Sequence, residues 1–336
     1  MENMRRGNGC LWAAIGVLAI PSLLCVAVLI GVVMLAAGLG DFEKASRPVD
    51  EYPRLNSVWS YGAGTTVVVR IAISGVISRD GGDDLFLSRE SVADRVLRQI
   101  RAATIDPEVR GIILEIDSPG GDVTACDEIH HALQEFKTAD EGRVVVAILG
   151  DLAASGGYYV ACMADYIMAQ PTTVTGSIGV IISALNFTEL GQKIGVKGVA
   201  IKSGPNKNLL DPLAEMTPEQ RAMLQEVVDI LHQRFVLLVA AGRKLTETKV
   251  RQFADGRIMT ADRARDLQLV DGINYWPDIV VKIGELLGTD DVKVIRYEES
   301  FSFHSLFKVL QQRPQIAIPG LAPAARARIQ YIWRMQ

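Results

Sequence analysis

Short, almost wholly apolar runs rich in β-branched residues recur along the chain, with helix-like stretches between them. The clearest examples are GIILEI at residues 111–116 and VVVAIL at residues 144–149. A strand that is apolar on both sides must be covered on both faces, as in parallel sheets whose strands are joined by helices. The pattern therefore predicts an α/β fold built on a mostly parallel sheet, and it excludes low-complexity disorder.

The other elements follow from the same periodicities. A long helix is expected to begin after Thr217, because Thr-Pro-Glu-Gln provides an N-cap with proline at the first helical position, and to end at Gly242. We predict further strands over 67–77, 166–169 and 199–201, and further helices over 89–103, 123–136, 156–164, 260–267 and 278–287.

An uncharged apolar stretch, Leu11–Leu39, precedes the globular part of the chain. As a helix with ~1.5 Å rise per residue it is longer than the ~30 Å of hydrocarbon in a bilayer. Arg5 and Arg6 precede the stretch, whereas Asp41 and Glu43 follow it. Because basic residues stay in the cytoplasm, we predict a retained single-pass anchor in membrane lipid, with the N-terminus cytoplasmic and the remainder extracytoplasmic; a cleaved signal sequence is the alternative.

Composition and charge divide the chain into four parts. We predict a cytoplasmic stub and membrane anchor over 1–40, a linker over 41–64, the main globular domain over 65–290, and a C-terminal strand and basic tail over 291–336. The chain has 35 basic and 39 acidic side chains, a net charge of −4. That balance argues against a nucleic-acid partner, which would require a clearly basic surface.

A glycine-rich turn directly follows the first buried strand, and another comes a few residues after the second. In Asp117-Ser118-Pro119-Gly120-Gly121-Asp122, backbone N–H groups at the glycines could face an oxyanion that develops during acyl transfer, although a plain β–α turn is the alternative. In AASGGYY at residues 153–159, Ser155 stands among small residues at a helix start, followed by the N–H of Gly156. A nucleophile needs this open approach, but a plain N-cap serine has the same pattern.

The sequence offers no convincing histidine base for Ser155. His130 and His131 fall inside a predicted helix, so a Ser-His-Asp triad stays open but is disfavoured. Neither H-E-x-x-H nor paired C-x-x-C occurs, and we predict neither a metal nor another cofactor. Lysine is the known substitute base, provided that burial keeps its amine neutral. KSGPNK at residues 202–207 offers two lysines, although most lysines in such loops are simply solvated.

Taken together, these segments resemble the signal peptide peptidase A family of membrane-anchored Ser-Lys peptidases. The resemblance covers about residues 66–290, and its motifs are SPGG at 118–121, AASGGYY at 153–159, TGSIGV at 175–180, KSGPNK at 202–207 and ADGR at 254–257. It implies a Clp-protease/crotonase-like α/β fold, a spiral of β-β-α units.

The resemblance also implies a role for each matching residue. Ser155 would be the nucleophile and Lys207, the second lysine of KSGPNK, the general base. Gly156 and Gly121 would donate the N–H groups of the oxyanion hole. Ser177 would bind the amine of Lys207 and orient it.

The family further implies partners and an assembly. Its members form rings in which the serine and the lysine of one site come from adjacent protomers, and a chain with one copy of the motifs looks like the homo-octameric form. The implied substrates are signal-peptide remnants and other hydrophobic peptides. One departure is Asp122, where many members have a third glycine, and we expect its carboxylate to bind outward to a neighbour.

Two other classes of protein stay open. A crotonase-type acyl-CoA enzyme also uses paired backbone N–H groups at glycines, but it needs neither an anchor nor a hydroxyl-lysine pair. A catalytically inactive, peptidase-like membrane scaffold would bind partners without cleaving them. The presence of Ser155, Lys207 and both Gly-Gly pairs argues against that loss of activity.

Two cysteines, Cys126 and Cys162, fall in the predicted extracytoplasmic domain. An oxidising compartment would allow them to form a disulfide, but nothing in the sequence fixes their separation. Buried free thiols are the favoured interpretation.

Overall fold

A computed structural model of the chain describes residue 53 and residues 55–80, 83–84, 87–88, 90–299 and 329–332. These residues belong to one unit that begins at Pro53. The predicted anchor, Leu11–Leu39, lies outside the described residues, as does most of the basic tail. Among the helices that the structure does describe, none has the length and apolarity needed to cross a bilayer.

Strands and helices alternate through most of the described chain. The strands are β1 Leu55–Tyr61, β2 Thr66–Ser74, β3 Asp83–Asp84, β4 Leu87–Ser88, β5 Val109–Ser118, β6 Gly120–Asp122, β7 Val144–Ala154, β8 Tyr166–Ala169, β9 Val174–Gly176, β10 Ile181–Ile182, β11 Ile258–Thr260, β12 Gly272–Ile273, β13 Val292–Glu299 and β14 Ile329–Ile332. The helices are α1 Val92–Ile105, α2 Val123–Ala139, α3 Gly156–Ala161, α4 Thr188–Ile194, α5 Pro218–Gly242, α6 Glu247–Arg251, α7 Ala261–Asp266 and α8 Trp276–Leu287.

The largest sheet is mixed, with a parallel centre. Its strand order is β1-β13-β2-β5-β7-β8-β12, and β13 to β12 run parallel to one another. The edge strand β1 is antiparallel to β13. Near its carboxyl end, β7 also pairs in parallel with β9, which in turn pairs antiparallel with β11. The prediction of a mostly parallel central sheet is confirmed.

Helices cover both faces of this sheet. Ile112 of β5 lies in a buried cluster with Ile100 of α1 and Leu133 of α2. The next residue, Ile113, lies in a second buried cluster with Ile279 of α8. Successive side chains of a strand point to opposite faces, so the continuous apolar runs are explained by burial on both sides.

Several predicted elements need correction. Residues 199–201 form no strand: Val199 and Ile201 are exposed, and no neighbouring strand pairs with them, so β-branched residues alone did not suffice. Residues 55–61, assigned to the linker, form β1 because β13 supplies their hydrogen-bonding partners. The long helix is confirmed over Pro218–Gly242, with a reciprocal capping box at Thr217.

A small second sheet brings distant parts of the chain together. The strand β14 lies between β6 and β10 and is antiparallel to both. In this pairing Tyr331 stands opposite Gly121, and Ile332 opposite Gly120. The glycine turn after β5 therefore has an edge that accepts an extended segment.

Candidate active site

Ser155 lies between the end of β7 and the start of α3. Its φ of 53° and ψ of −117° are a conformation that residues other than glycine rarely adopt. The Ser155 N–H donates to the carbonyl of Gly176 at 2.8 Å, which extends the β7–β9 pairing by one residue. Strain of this kind persists only where the surroundings hold it, and it is concentrated at functional sites.

The hydroxyl of Ser155 is buried without a partner. The residue is only 1% exposed, and its Oγ has no hydrogen-bond partner. An unsatisfied buried hydroxyl costs about 1–3 kcal/mol, so it calls for an explanation. Packing favours glycine two residues further on, because a Cβ at Gly157 would lie 3.0 Å from the Ser118 carbonyl oxygen. A hydroxyl held this way is suited to act as a nucleophile.

Ser177 comes directly after β9, and Ser155 comes directly after β7. These two strands pair in parallel. It is 7% exposed, its φ is 52°, and its N–H donates to the carbonyl of Arg257 at 2.7 Å. The parallel register aligns Ala154 with Gly176, so the two serines that follow are at corresponding positions. The structure therefore brings Ser155 and Ser177 to one end of the sheet.

Gly121 lies in the glycine-rich turn after β5, where backbone atoms of another segment approach it closely. It bridges to Ile77, whose carbonyl oxygen accepts from the Asp122 N–H at 2.8 Å. A Cβ at Gly121 would lie 1.8 Å from that Ile77 oxygen, so only glycine fits. The same turn lies against the start of α3, since a Cβ added at Gly157 would lie 3.0 Å from the Ser118 carbonyl oxygen.

Gly156 is the first residue of α3. The N–H groups of a helix's first turn have no partner within the helix. Gly156 is also buried, in the turn that follows Ser155. The backbone N–H of Gly156 is therefore placed to donate to an oxyanion beside Ser155. Gly121 lies on the neighbouring turn.

Lys207 lies in the exposed loop between α4 and α5, and the structure shows its side chain open to solvent. Its own N–H donates to the carbonyl of Gly204 at 3.3 Å. The first lysine of the motif, Lys202, has a structural role: its Nζ donates to Asn208 Oδ1 at 2.6 Å and to the Pro205 carbonyl at 3.1 Å. The described chain thus assembles the two serines and the glycines, while Lys207 faces solvent.

The two adjacent histidines differ in environment. Burial lowers the pKa of His130 to about 4, and its ring packs edge-on against Tyr159 at 5.6 Å between centroids. His131 is exposed and lies 3.5 Å from Glu135 of the same helix. Neither histidine is presented as a base at the end of a strand. Within the described ranges, no group of three or more His, Cys, Asp or Glu side chains could hold a metal ion.

Ser118 is a residue of the site that the sequence patterns above do not single out. Its buried hydroxyl donates to the Gly75 carbonyl at 2.7 Å and accepts from the Gly120 N–H at 3.1 Å. These bonds fix the turn that carries Gly121. The signal was present in the motif, because a serine two residues before a glycine often closes a turn with its hydroxyl.

An apolar groove lies beside β6. It has a volume of about 700 Å³ and runs between the start of α2 and the face of α5. The side chains that line it are mainly apolar; among them are Val123, Ala125, Val227, Ile230 and Leu231. Asp122, the residue that departs from the expected third glycine, is half-buried at its edge.

The cysteines in the described part of the chain are free. Cys126 and Cys162 are both buried, and burial raises the pKa of each thiol. The favoured interpretation of buried free thiols is confirmed, and the alternative of a disulfide between them is wrong.

Comparison with known proteins identifies the family. The family model of peptidase family S49 matches residues 137–290, and that of Clp protease matches residues 86–178. A protein of Enterococcus faecium named as the signal peptide peptidase SppA is 35% identical over 237 residues, which cover 70% of this chain and 68% of that protein. The chain belongs to peptidase family S49, the signal peptide peptidase A family.

Other S49 relatives agree. A protein of Synechocystis named as a protease is 36% identical over 238 residues, 70% of this chain and 80% of that protein. Protease 4 of Salmonella typhi is 37% identical over 194 residues, which are 57% of this chain but only 31% of that longer protein. The chain is thus a serine peptidase with a Clp-protease-like α/β fold, as the sequence predicted.

Proposed function

We propose that this S49 peptidase degrades cleaved signal peptides, with Ser155 as its nucleophile and Lys207 as its general base. The observation that carries the proposal is the Ser155 hydroxyl, buried without a partner at a strained strand-to-helix turn. Its relatives support the substrate class, because the Enterococcus protein is named for signal peptides. The β-β-α spiral implied by the family is part of the same proposal.

The proposed chemistry assigns one role to each of these groups. The neutral amine of Lys207 removes the Ser155 proton as Oγ attacks the scissile carbonyl carbon. The N–H groups of Gly156 and Gly121 stabilise the resulting oxyanion, and Ser177 orients the amine. The lysine then gives its proton to the leaving amine, and water hydrolyses the acyl-enzyme by the reverse proton path.

Solvent exposure of Lys207 points to a second subunit. A general base requires a neutral amine, and removal of an amine from water favours that neutral form. The end of α4 and the loop also present exposed apolar residues before the motif, namely Ile194, Val199 and, adjoining it, Ile201. Such a surface is typical of an interface. In the proposed homo-octamer the adjacent protomer covers this surface and completes the site with its serine.

The surroundings of Gly121 suit an extended apolar peptide. β14 pairs antiparallel with β6, so this edge binds an extended segment of the chain itself, and a substrate strand would replace that segment. The apolar groove beside Val123 and Ile230 would bury large apolar side chains of a signal-peptide remnant. We further propose that the Leu11–Leu39 stretch anchors the enzyme in the membrane, with the peptidase domain extracytoplasmic, where such remnants are released.

The test is digestion of a synthetic signal peptide by the full-length enzyme in detergent, read by mass spectrometry. Wild type should cut within the apolar stretch, whereas Ser155→Ala and Lys207→Ala should each lose at least about 1,000-fold in kcat. Lys244→Ala changes an exposed lysine outside the motif and outside the proposed subunit interface, and it should behave as wild type.

Two results would overturn the proposal. Undiminished cleavage by Ser155→Ala would remove the nucleophile, and no cleavage of the peptide by wild type would remove the substrate class. A serine-directed covalent inhibitor should label Ser155, which a crotonase-type enzyme would not show.

A further inference from the structure

Tyr159 is connected to the proposed nucleophile, Ser155, through α3, the helix that begins directly after that serine. It lies four residues after Ser155, and its N–H donates to the Ser155 carbonyl at 2.9 Å. Its side chain is fully buried, between the rings of His130 and Phe235. The helix α3 has only six residues, and a helix this short depends on tertiary contacts for its orientation.

The Tyr159 hydroxyl donates to Asp127 Oδ1 at 2.5 Å. Asp127 lies in α2, which begins directly after the Gly121 turn. The same carboxylate accepts from Arg234 Nη2 of α5, at 2.7 Å for Oδ1 and 2.9 Å for Oδ2. One carboxylate thus joins the helix after the glycine turn, the helix of the nucleophile and the helix that borders the apolar groove.

Neighbouring side chains stabilise the negative charge of the Asp127 carboxylate. Burial opposes ionisation, but hydrogen bonds from Tyr159 and Arg234 outweigh it, so the pKa of Asp127 lies below its usual value. His130 also faces this group, and because burial lowers its pKa to about 4, it is neutral at physiological pH. Asp127 is therefore an ionised acceptor held by two donors.

We propose that Asp127 is a positioning residue of the peptidase, which aligns Ser155 with the Gly121 turn by holding the Tyr159 hydroxyl. The inference rests on the proposed function, since it takes Ser155 as the nucleophile. An oxyanion hole made from two separate turns works only if the turns keep their spacing, and misplacement by about 1 Å costs on the order of 100-fold in rate. The Asp127–Tyr159 bond is a direct side-chain link between the helices that follow those turns.

The test is a double-mutant cycle on the full-length enzyme, with kcat and KM measured on a peptide and sites counted with a serine-directed label. Tyr159→Phe and Asp127→Ala should each lower kcat about tenfold while KM changes less than about twofold. The double variant should be no slower than Asp127→Ala, because that substitution already removes the bond that Tyr159→Phe removes. Asp127→Asn should recover most of the rate, since its amide oxygen still accepts the hydroxyl.

Asp140→Ala is the matched control, because Asp140 follows the same helix and pairs with Arg110, but has no link to α3. It should keep the wild-type kcat. If Tyr159→Phe and Asp127→Ala merely lower the melting temperature and keep kcat, or if their rate losses multiply in the double variant, the inference is wrong. A fully active Ser155→Ala would instead overturn the proposed function on which it rests.

Discussion

The backbone at Ser155 and Ser177 distinguishes these residues from the other serines in the described chain. Both have left-handed φ values, 53° and 52°, and each N–H is bound by the carbonyl of a residue far along the chain, Gly176 and Arg257 respectively. Because hydrogen bonds to distant segments hold the backbone of these two serines in a strained conformation, the backbone cannot relax easily. Backbone strain at Ser155 and Ser177 is therefore expected of an active site whose geometry is fixed before the substrate binds.

At the same scale, Gly121 should tolerate no side chain. In Gly121→Ala the added Cβ would meet the Ile77 carbonyl oxygen at 1.8 Å, so the bridge between the two segments must shift. We expect a loss of about 1–3 kcal/mol in the free energy of unfolding and at least about 100-fold in kcat. Urea denaturation and peptide hydrolysis would measure these effects.

The control for that substitution is Gly204→Ala, where an added Cβ would meet nothing within 4 Å. Its free energy of unfolding should stay within about 0.5 kcal/mol of the wild-type value. If Gly121→Ala were equally mild, the close approach of Ile77 would not constrain this position.

At the scale of elements, the start of α5 is linked to the loop that carries Lys207. Thr217 and Gln220 form a reciprocal capping box, and the Gln220 amide also donates to the Pro205 carbonyl at 3.3 Å. Lys202 donates to the same carbonyl at 3.1 Å. The helix cap and the loop are therefore linked through one atom, the carbonyl oxygen of Pro205 in the KSGPNK motif.

Thr217→Ala should therefore have two effects. Loss of the cap should lower the free energy of unfolding by about 1 kcal/mol, and release of Gln220 should also lower kcat because the loop loses a support. Thermal unfolding and peptide hydrolysis would separate the two. Thr246→Ala removes a similar cap from α6, and it should cost about the same stability while leaving kcat unchanged. Equal kcat values for both variants would contradict the link to the loop.

At the scale of the whole molecule, the exposure of Lys207 makes a shared active site testable. Ser155→Ala and Lys207→Ala, co-expressed, should recover about a quarter of wild-type activity, since one junction in four of a randomly mixed ring joins an intact serine to an intact lysine. Each variant alone is the control. Activity of the mixture no higher than that of the single variants would mean that serine and lysine act within one chain.

The sequence predicted the sheet well because its signal was local and strong. Runs such as 111–116 and 144–149 are apolar at nearly every position, and only a strand covered on both faces buries side chains on both sides. The same reasoning failed at residues 199–201, where β-branched residues found no neighbouring strand. It also missed β1, whose pairing partner lies more than 200 residues further along the chain.

What the sequence determined by itself was the order of the elements and the residue types of the motifs, since periodicity, capping and glycine turns are properties of neighbouring residues. Only the tertiary structure decided that Ser155 and Ser177 share one edge, that Ser118 holds the Gly121 turn, and that Asp127 joins three helices. Those relations depend on strand register and helix packing between distant segments, which short-range patterns do not encode.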